Sequence, residues 1–136
     1  MRIALCDDDV QCGLQLHDLM SEYITLNPDK EIVFSIYSSA EELLNAVEKT
    51  GDFDLYILDI VMSGINGIDL ALKLRDLGSS SKIVYLTSSV EFALDAFKVR
   101  AYHYILKPIK EDEFFSILNG SSFLFADLNY FVLVFY

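Results

Sequence analysis

Leu55-Tyr56-Ile57-Leu58-Asp59 is four apolar residues closed by an acid. A run this short and apolar at every position suits a strand covered on both faces, as in a parallel sheet. Similar runs occur at residues 3–6, 32–36, 83–86 and 102–106. Helical periodicity fills the intervals. Val10, Leu14, His17, Met20 and Ile24 recur every three or four residues, and Asn27-Pro28-Asp29 stops that helix. Ser39 and Glu42 form a capping box ahead of Leu43, Leu44 and Val47, and Asn66 caps a helix carrying Ile68, Ala71 and Leu72. Ser88 and Glu91 form a second box before Ala93, Leu94 and Phe97. A fifth helix follows Pro108, with Phe114, Ile117 and Leu118 facing inward. Strand and helix thus alternate five times. This predicts an α/β fold, a doubly wound five-stranded parallel sheet with right-handed crossovers and helices on both faces.

The chain has 136 residues, room for one domain with an ordinary core. Ten Lys and Arg stand against 21 Asp and Glu, a formal charge of −11, which argues against direct nucleic-acid binding because such affinity rests on basic contacts to phosphate. No apolar run reaches the roughly 18 residues of a membrane helix, and the first residues run into acid too soon for a signal peptide, so the expected address is the cytoplasm without membrane contact. Two cysteines, Cys6 and Cys12, do not make a disulfide scaffold or a zinc pattern. Cys6 reads as a small buried thiol, and His17 and His103 as structural or surface residues.

In sheets of this kind ligands sit beyond the carboxyl ends of the strands. There the sequence places Asp7, Asp8 and Asp9 after the first strand, and Asp59, Ile60 and Val61 after the third. Thr87, Ser88 and Ser89 follow the fourth, and Lys107 and Pro108 the fifth. Asp7, Asp8 and Asp59 brought together repel one another unless a cation joins them. All-oxygen ligands select a hard ion such as Mg²⁺. One carboxylate can also act as a nucleophile toward phosphorus, and Asp59, on the central strand, is the candidate. Lys107 supplies a point charge and Thr87 a hydroxyl to the same phosphoryl oxygens. Asp9 reads as the cap of the first helix.

Leu5-Cys6-Asp7-Asp8-Asp9, the segment from Leu55 to Met62, Gly67, Tyr85-Leu86-Thr87-Ser88 and Tyr104-Ile105-Leu106-Lys107-Pro108 together resemble the receiver domain of two-component response regulators. The resemblance covers residues 1–119, and the stretch from Leu86 to Pro108 is most similar to the LytTR-type regulators. It implies a flavodoxin-like sheet of order 2-1-3-4-5. It also implies a phosphoacceptor, Asp59, that takes a phosphoryl group from a sensor histidine kinase. Mg²⁺ is implied to be held by Asp8, Asp59 and the Val61 carbonyl, with Asp7 helping, and Thr87 and Lys107 are implied to grip the phosphoryl group. Tyr104 falls at the switch aromatic that moves with Thr87, and Lys107-Pro108 is implied to be a cis bond. The resemblance implies a signalling switch rather than an enzyme, with dimerisation on phosphorylation and control of transcription through a DNA-binding domain that is not in this chain.

Ser63 stands where the family usually has Pro, so a looser loop is expected there. Residues 120–136 form an atypical apolar tail, with one charge (Asp127) and twelve apolar residues. The fifth helix is expected to stop at Asn119-Gly120, about eight residues from Glu111. Beyond it, residues 123–125 and 130–136 favour strand, and the tail is expected to drive self-association, with folding back onto the domain or an end made by truncation, frame change or cloning as the other readings. Two competing functions are weaker. A haloacid-dehalogenase-like phosphatase would use Asp7 and Asp9, but Gln11 breaks its motif. A non-phosphorylated interaction module leaves Asp59, Thr87 and Lys107 without purpose.

Overall fold

The computed structural model describes residues 1–120; residues 121–136, and with them the expectations for the tail strands, lie outside the described residues. Five strands alternate with five helices. β1 (Arg2–Cys6), α1 (Val10–Leu26), β2 (Val33–Tyr37) and α2 (Ala40–Thr50) are followed by β3 (Leu55–Leu58) and α3 (Gly67–Asp76). β4 (Lys82–Thr87), α4 (Ala93–Lys98), β5 (His103–Leu106) and α5 (Glu111–Leu118) complete the series. The sheet is parallel with order β2-β1-β3-β4-β5, as the resemblance implied. β3 is central, so the carboxyl end that carries Asp59 opens in the middle of the sheet.

Strand alternation divides the core. Ala4, Cys6, Tyr56, Leu58, Ile83 and Tyr85 face one side, where α2, α3 and α4 cover them through Leu43, Leu70, Leu74 and Ala96. Ile3, Leu5, Ile57, Val84 and Leu86 face the other, against Leu16, Met20 and Tyr23 of α1 and Phe114 and Ile117 of α5. Each fully buried Leu, Ile or Phe stabilises the fold by roughly 1.5–3 kcal/mol, and this double cover explains why β1, β3 and β4 read as apolar runs.

Several expectations need correction. β2 is an edge strand with Val33 exposed, so it is not buried on both faces, and it begins at Val33, one residue later than expected. β5 begins at His103, one residue later than expected, although the Tyr102 amide already donates to the Ile83 carbonyl as the chain enters the sheet. The inward face of α1 is Cys12, Leu16, Met20 and Tyr23, while Val10 and Leu14 are exposed. Two apolar stripes that share Met20 compete on this helix, and the one that meets the sheet and α5 is rotated by about a third of a turn from the one expected. Leu72, Leu94 and Phe97 are likewise exposed, with Leu70, Leu74 and Ala96 taking the buried positions. Ser39 caps α2 by accepting from the Glu42 amide at 3.2 Å, but Glu42 reaches back to Ser38 rather than to Ser39. The Ser88–Glu91 box does not form: α4 starts later, at Ala93, without a side-chain cap, and Glu91 accepts from the Ser89 hydroxyl instead. Asn66 caps α3 as expected, and α5 ends at Leu118 with Gly120 at φ 79°, the left-handed conformation in which glycine ends a helix.

Candidate functional site

Sheet-type hydrogen bonds continue one residue beyond the strands and fix the backbone of the site. The Asp7 amide donates to the Tyr37 carbonyl (3.1 Å), Asp59 to Cys6 (2.9 Å) and Lys107 to Thr87 (2.8 Å). The residues singled out at four strand ends therefore lie along one edge. Asp7, Asp8 and Asp59 offer carboxylate oxygens within 4.8 Å of one another. Asp7 and Asp59 are 4% and 8% exposed, whereas Asp8 stands open to solvent.

The acids are held individually. The Asp7 carboxylate accepts from the Asp9 amide at 2.9 Å and from the Lys107 ammonium at 2.7 Å. Asp59 accepts from the Ile60 amide at 2.7 Å and from Lys107 at 3.2 Å. Asp9 caps α1 by accepting from the Gln11 amide, so it is drawn away from the cluster. Asp8 accepts from the Ser63 amide at 2.9 Å. This corrects the expectation of a looser loop: a proline there has no N–H, whereas Ser63 uses its own to tie the loop to Asp8.

Burial, then the negative charge of Asp7, push the Asp59 carboxyl above its ordinary range, and Lys107 opposes them. Burial alone would lower the Lys107 ammonium, but the Asp7 hydrogen bond and the charges of Asp59 and Asp7 outweigh it and hold it above the usual lysine range. Lys107 is thus a firmly charged ammonium between two carboxylates. Cys12 sits in the wall beside them, its thiol pushed up to about 12 by burial and by Asp7, so it stays protonated. With Lys107, Pro108 and Ile109 it lines a cleft of about 370 Å³ next to the acids. The Lys107–Pro108 bond is cis.

Thr87 is 1% exposed at the end of β4, and its hydroxyl oxygen accepts from the Ser89 amide at 3.3 Å. Tyr104 is buried on β5, tilted against Tyr85, with its hydroxyl donating to the Ser89 carbonyl. One short loop therefore touches both Thr87 and Tyr104. Val61 is 59% exposed at the rim. Sequence reasoning did not reach the amides of Ile60 and Ser63, because a backbone donor is not encoded by the residue that carries it, nor the place of Cys12 beside the acids, because that depends on which face of α1 meets the sheet.

Gly67 opens α3 directly behind Asp59. A Cβ there would lie 2.1 Å from the Asp59 carbonyl oxygen, and the Gly67 carbonyl accepts from the Tyr85 hydroxyl at 2.8 Å. The backbone of Asp59 and Ile60 is pressed against the start of α3 with no room for a side chain at Gly67.

Comparison with known proteins agrees with this geometry. The family model of the response regulator receiver domain matches residues 3–119. The sensory transduction protein LytR of Staphylococcus epidermidis is 37% identical over 115 residues, covering 85% of this chain and 41% of that protein. The sensory transduction protein LytT of Enterococcus faecalis is 30% identical, covering 90% and 48%. The chain thus spans less than half the length of these relatives. Among solved structures, the response regulatory domain of mrkE from Klebsiella pneumoniae superposes with a TM-score of 0.73 at 27% identity, over 88% of this chain and 93% of that one. The response regulator TrrA of Thermotoga maritima, in complex with Mg²⁺ and BeF, gives 0.73 at 26% identity, over 88% and 97%. With the β2-β1-β3-β4-β5 sheet and the acidic edge in place, residues 3–119 are a receiver domain, and the chain belongs to the receiver domain family of two-component response regulators, with LytT and LytR regulators among its relatives.

Proposed function

We propose that Asp59 accepts a phosphoryl group from the phosphohistidine of a sensor histidine kinase and that the domain switches conformation in response. The observation that supports this most is the convergence of three carboxylates with one ammonium at the end of the central strand. In the transfer an Asp59 oxygen attacks phosphorus, an O–P bond forms, the P–N bond breaks and the imidazole leaves with the bonding pair. Lys107 is already charged within reach of Asp59 and can pass from a carboxylate oxygen to a phosphoryl oxygen without gaining or losing a proton. Thr87, buried at the end of β4, would donate its hydroxyl proton to a phosphoryl oxygen, and turning toward that oxygen would pull its own oxygen from the Ser89 amide it accepts from. That exchange loosens the loop that Tyr104 holds from the other side, which is how the switch would reach β5.

The donor set of Asp7, Asp8 and Asp59, hard oxygens without His or Cys, fits Mg²⁺. Asp8, Asp59 and the Val61 carbonyl would hold it, with Asp7 kept partly occupied by Lys107. Bound there, Mg²⁺ offsets the charge of the carboxylates and of the phosphoryl oxygens. Asp8→Ala is expected to weaken Mg²⁺ binding by at least about tenfold, the loss that even outer-shell partners cause. Its thermal midpoint without metal should not fall, since removing one of three like charges relieves repulsion. A lower midpoint with unchanged Mg²⁺ affinity in titration calorimetry would assign Asp8 a structural role.

The phosphoryl group should be long-lived. Val61, two residues beyond Asp59, has no hydrogen-bonding side chain to orient a water, and it stands at the exposed rim. Val61→Asn should accelerate loss of the label by roughly tenfold, well inside the hundredfold that positioning by an ångström commands. An unchanged decay rate refutes this account of the lifetime. The function itself is tested by intact mass after treatment with acetyl phosphate and Mg²⁺. Stable addition of one phosphoryl group supports a switch, whereas repeated turnover of phosphate esters supports a phosphatase.

A further inference from the structure

The two ends of α4 are fastened by different kinds of group. At its C-terminal end the Arg75 guanidinium, on α3, donates to four carbonyls. Nε reaches Val99 (3.0 Å) and Nη2 reaches Arg100 (3.1 Å), the two residues directly after α4. Nη1 reaches Ser79 (3.3 Å) and Ser81 (2.6 Å) in the α3–β4 turn. That turn is anchored in its own right. The Ser79 hydroxyl donates to Asp52 at 2.9 Å and the Ser81 hydroxyl at 3.0 Å, just before β3. The helix end is further closed by the Ala101 amide on Ala96 (3.0 Å) and the Arg100 amide on Phe97 (2.9 Å), with Arg100 at φ 58°. A left-handed conformation in a residue other than glycine persists where its surroundings over-determine it.

The N-terminal end differs. No side chain caps α4 there. The loop before it is held through Ser89, by the Thr87 hydroxyl on one side and the Tyr104 hydroxyl on the other, groups that belong to the acidic edge and its neighbourhood. The end remote from the acids is thus clamped to the base of β3 and β4, and the near end is tied to groups beside the acidic edge.

We propose that Arg75 is a positioning residue that makes the C-terminal end of α4 a fixed pivot, so that events at Asp59 swing the N-terminal end of the helix and leave the other in place. The proposal rests on the phosphoacceptor reading of Asp59. Arginine is suited to the task because its planar fork serves several acceptors at once, while lysine is a single point charge. Arg75→Lys keeps the charge and removes the bridge.

The test is residue-resolved amide hydrogen exchange on the full chain, wild type and Arg75→Lys, before and after acetyl phosphate with Mg²⁺, with label occupancy read by intact mass. In the wild type, phosphorylation should change exchange at residues 88–92 by about tenfold and leave residues 99–101 nearly unchanged. In unlabelled Arg75→Lys, exchange at 99–101 should already rise by about tenfold, as expected for lost charged hydrogen bonds, while the rate of labelling stays close to wild type. Equal changes at both ends of α4 in the wild type overturn the pivot, as does wild-type exchange at 99–101 in the variant. Should Arg75→Lys fail to fold, the wild-type comparison alone decides. If the wild type takes no label, the phosphoacceptor reading falls, while unlabelled Arg75→Lys still decides whether Arg75 fixes that end.

Discussion

Asp59→Asn is expected to take up no phosphoryl group from acetyl phosphate and Mg²⁺ under conditions that label the wild type completely. Asn keeps the size of the side chain, but its single carbonyl oxygen can replace only one of the two carboxylate oxygens that accept from the Ile60 amide at 2.7 Å and from Lys107 at 3.2 Å. It lacks the anionic lone pair that attacks phosphorus, and in a well-measured enzyme removing the nucleophile cost about 10⁶ in rate. The variant also separates chemistry from folding. The Asp59 carboxyl is held above its ordinary range by burial and by Asp7, so in the folded state its ionisation is disfavoured. A carboxyl raised on folding contributes stability below the ordinary carboxylate range and loses it as pH rises through the raised value. Metal-free Asp59→Asn should therefore melt above the wild type at pH 7, and the gap should shrink as the pH falls through the carboxylate range. Phosphorylation of the variant at the wild-type extent, read by intact mass, removes Asp59 from the role.

Where sequence and structure agree, one physical signal was strong enough to act alone. A run such as residues 55–58, apolar at all four positions, has little use outside a sheet covered on both faces, so the central strands and the acids after them were legible. The edge strand β2 and helix α1 were read less well for the same reason in reverse. Val33 and Leu14 are apolar yet exposed, and nothing local says which of two apolar stripes meets the core. That choice is made by α5 and the sheet, which lie far along the chain. Capping shows a similar split. Asp9, Ser39 and Asn66 form their local caps, while the Ser88–Glu91 box gives way because its loop is taken by Thr87 and Tyr104. The site was legible as a set of side chains. Its supporting amides, from Asp9, Ile60 and Ser63, were not, since they depend on the path of the backbone.

Gly67→Ala should be among the most damaging single substitutions in the domain, although helix propensity alone predicts the opposite. Gly67 is the first residue of α3, and alanine favours a helix over glycine by about 1 kcal/mol. Its φ is not in the left-handed region, so conformational freedom is not the reason for glycine here. Close approach is. An added Cβ would meet the Asp59 carbonyl oxygen at 2.1 Å, with the Asp59 carbonyl carbon and Ile60 Cα at 2.9 Å. All three are backbone atoms, so no rotamer change relieves the overlap, and α3 or the loop after Asp59 must shift. Overpacking of this kind costs typically 1–3 kcal/mol and more when backbone must move, which exceeds the propensity gain. The expected result is a fall in melting temperature of roughly 10 °C, together with slower labelling, because Asp59 moves with its own carbonyl. Gly13→Ala is the control. It lies inside α1, where a Cβ meets only Ile36 Cγ2 at an ordinary 3.9 Å. Propensity therefore decides, and the melting temperature should rise by a few degrees. Thermal denaturation of both variants reads the opposite signs. Equal stabilisation of the two would show that the loop after Asp59 yields to a methyl group without cost, and that its close packing against α3 does not hold Asp59 in place.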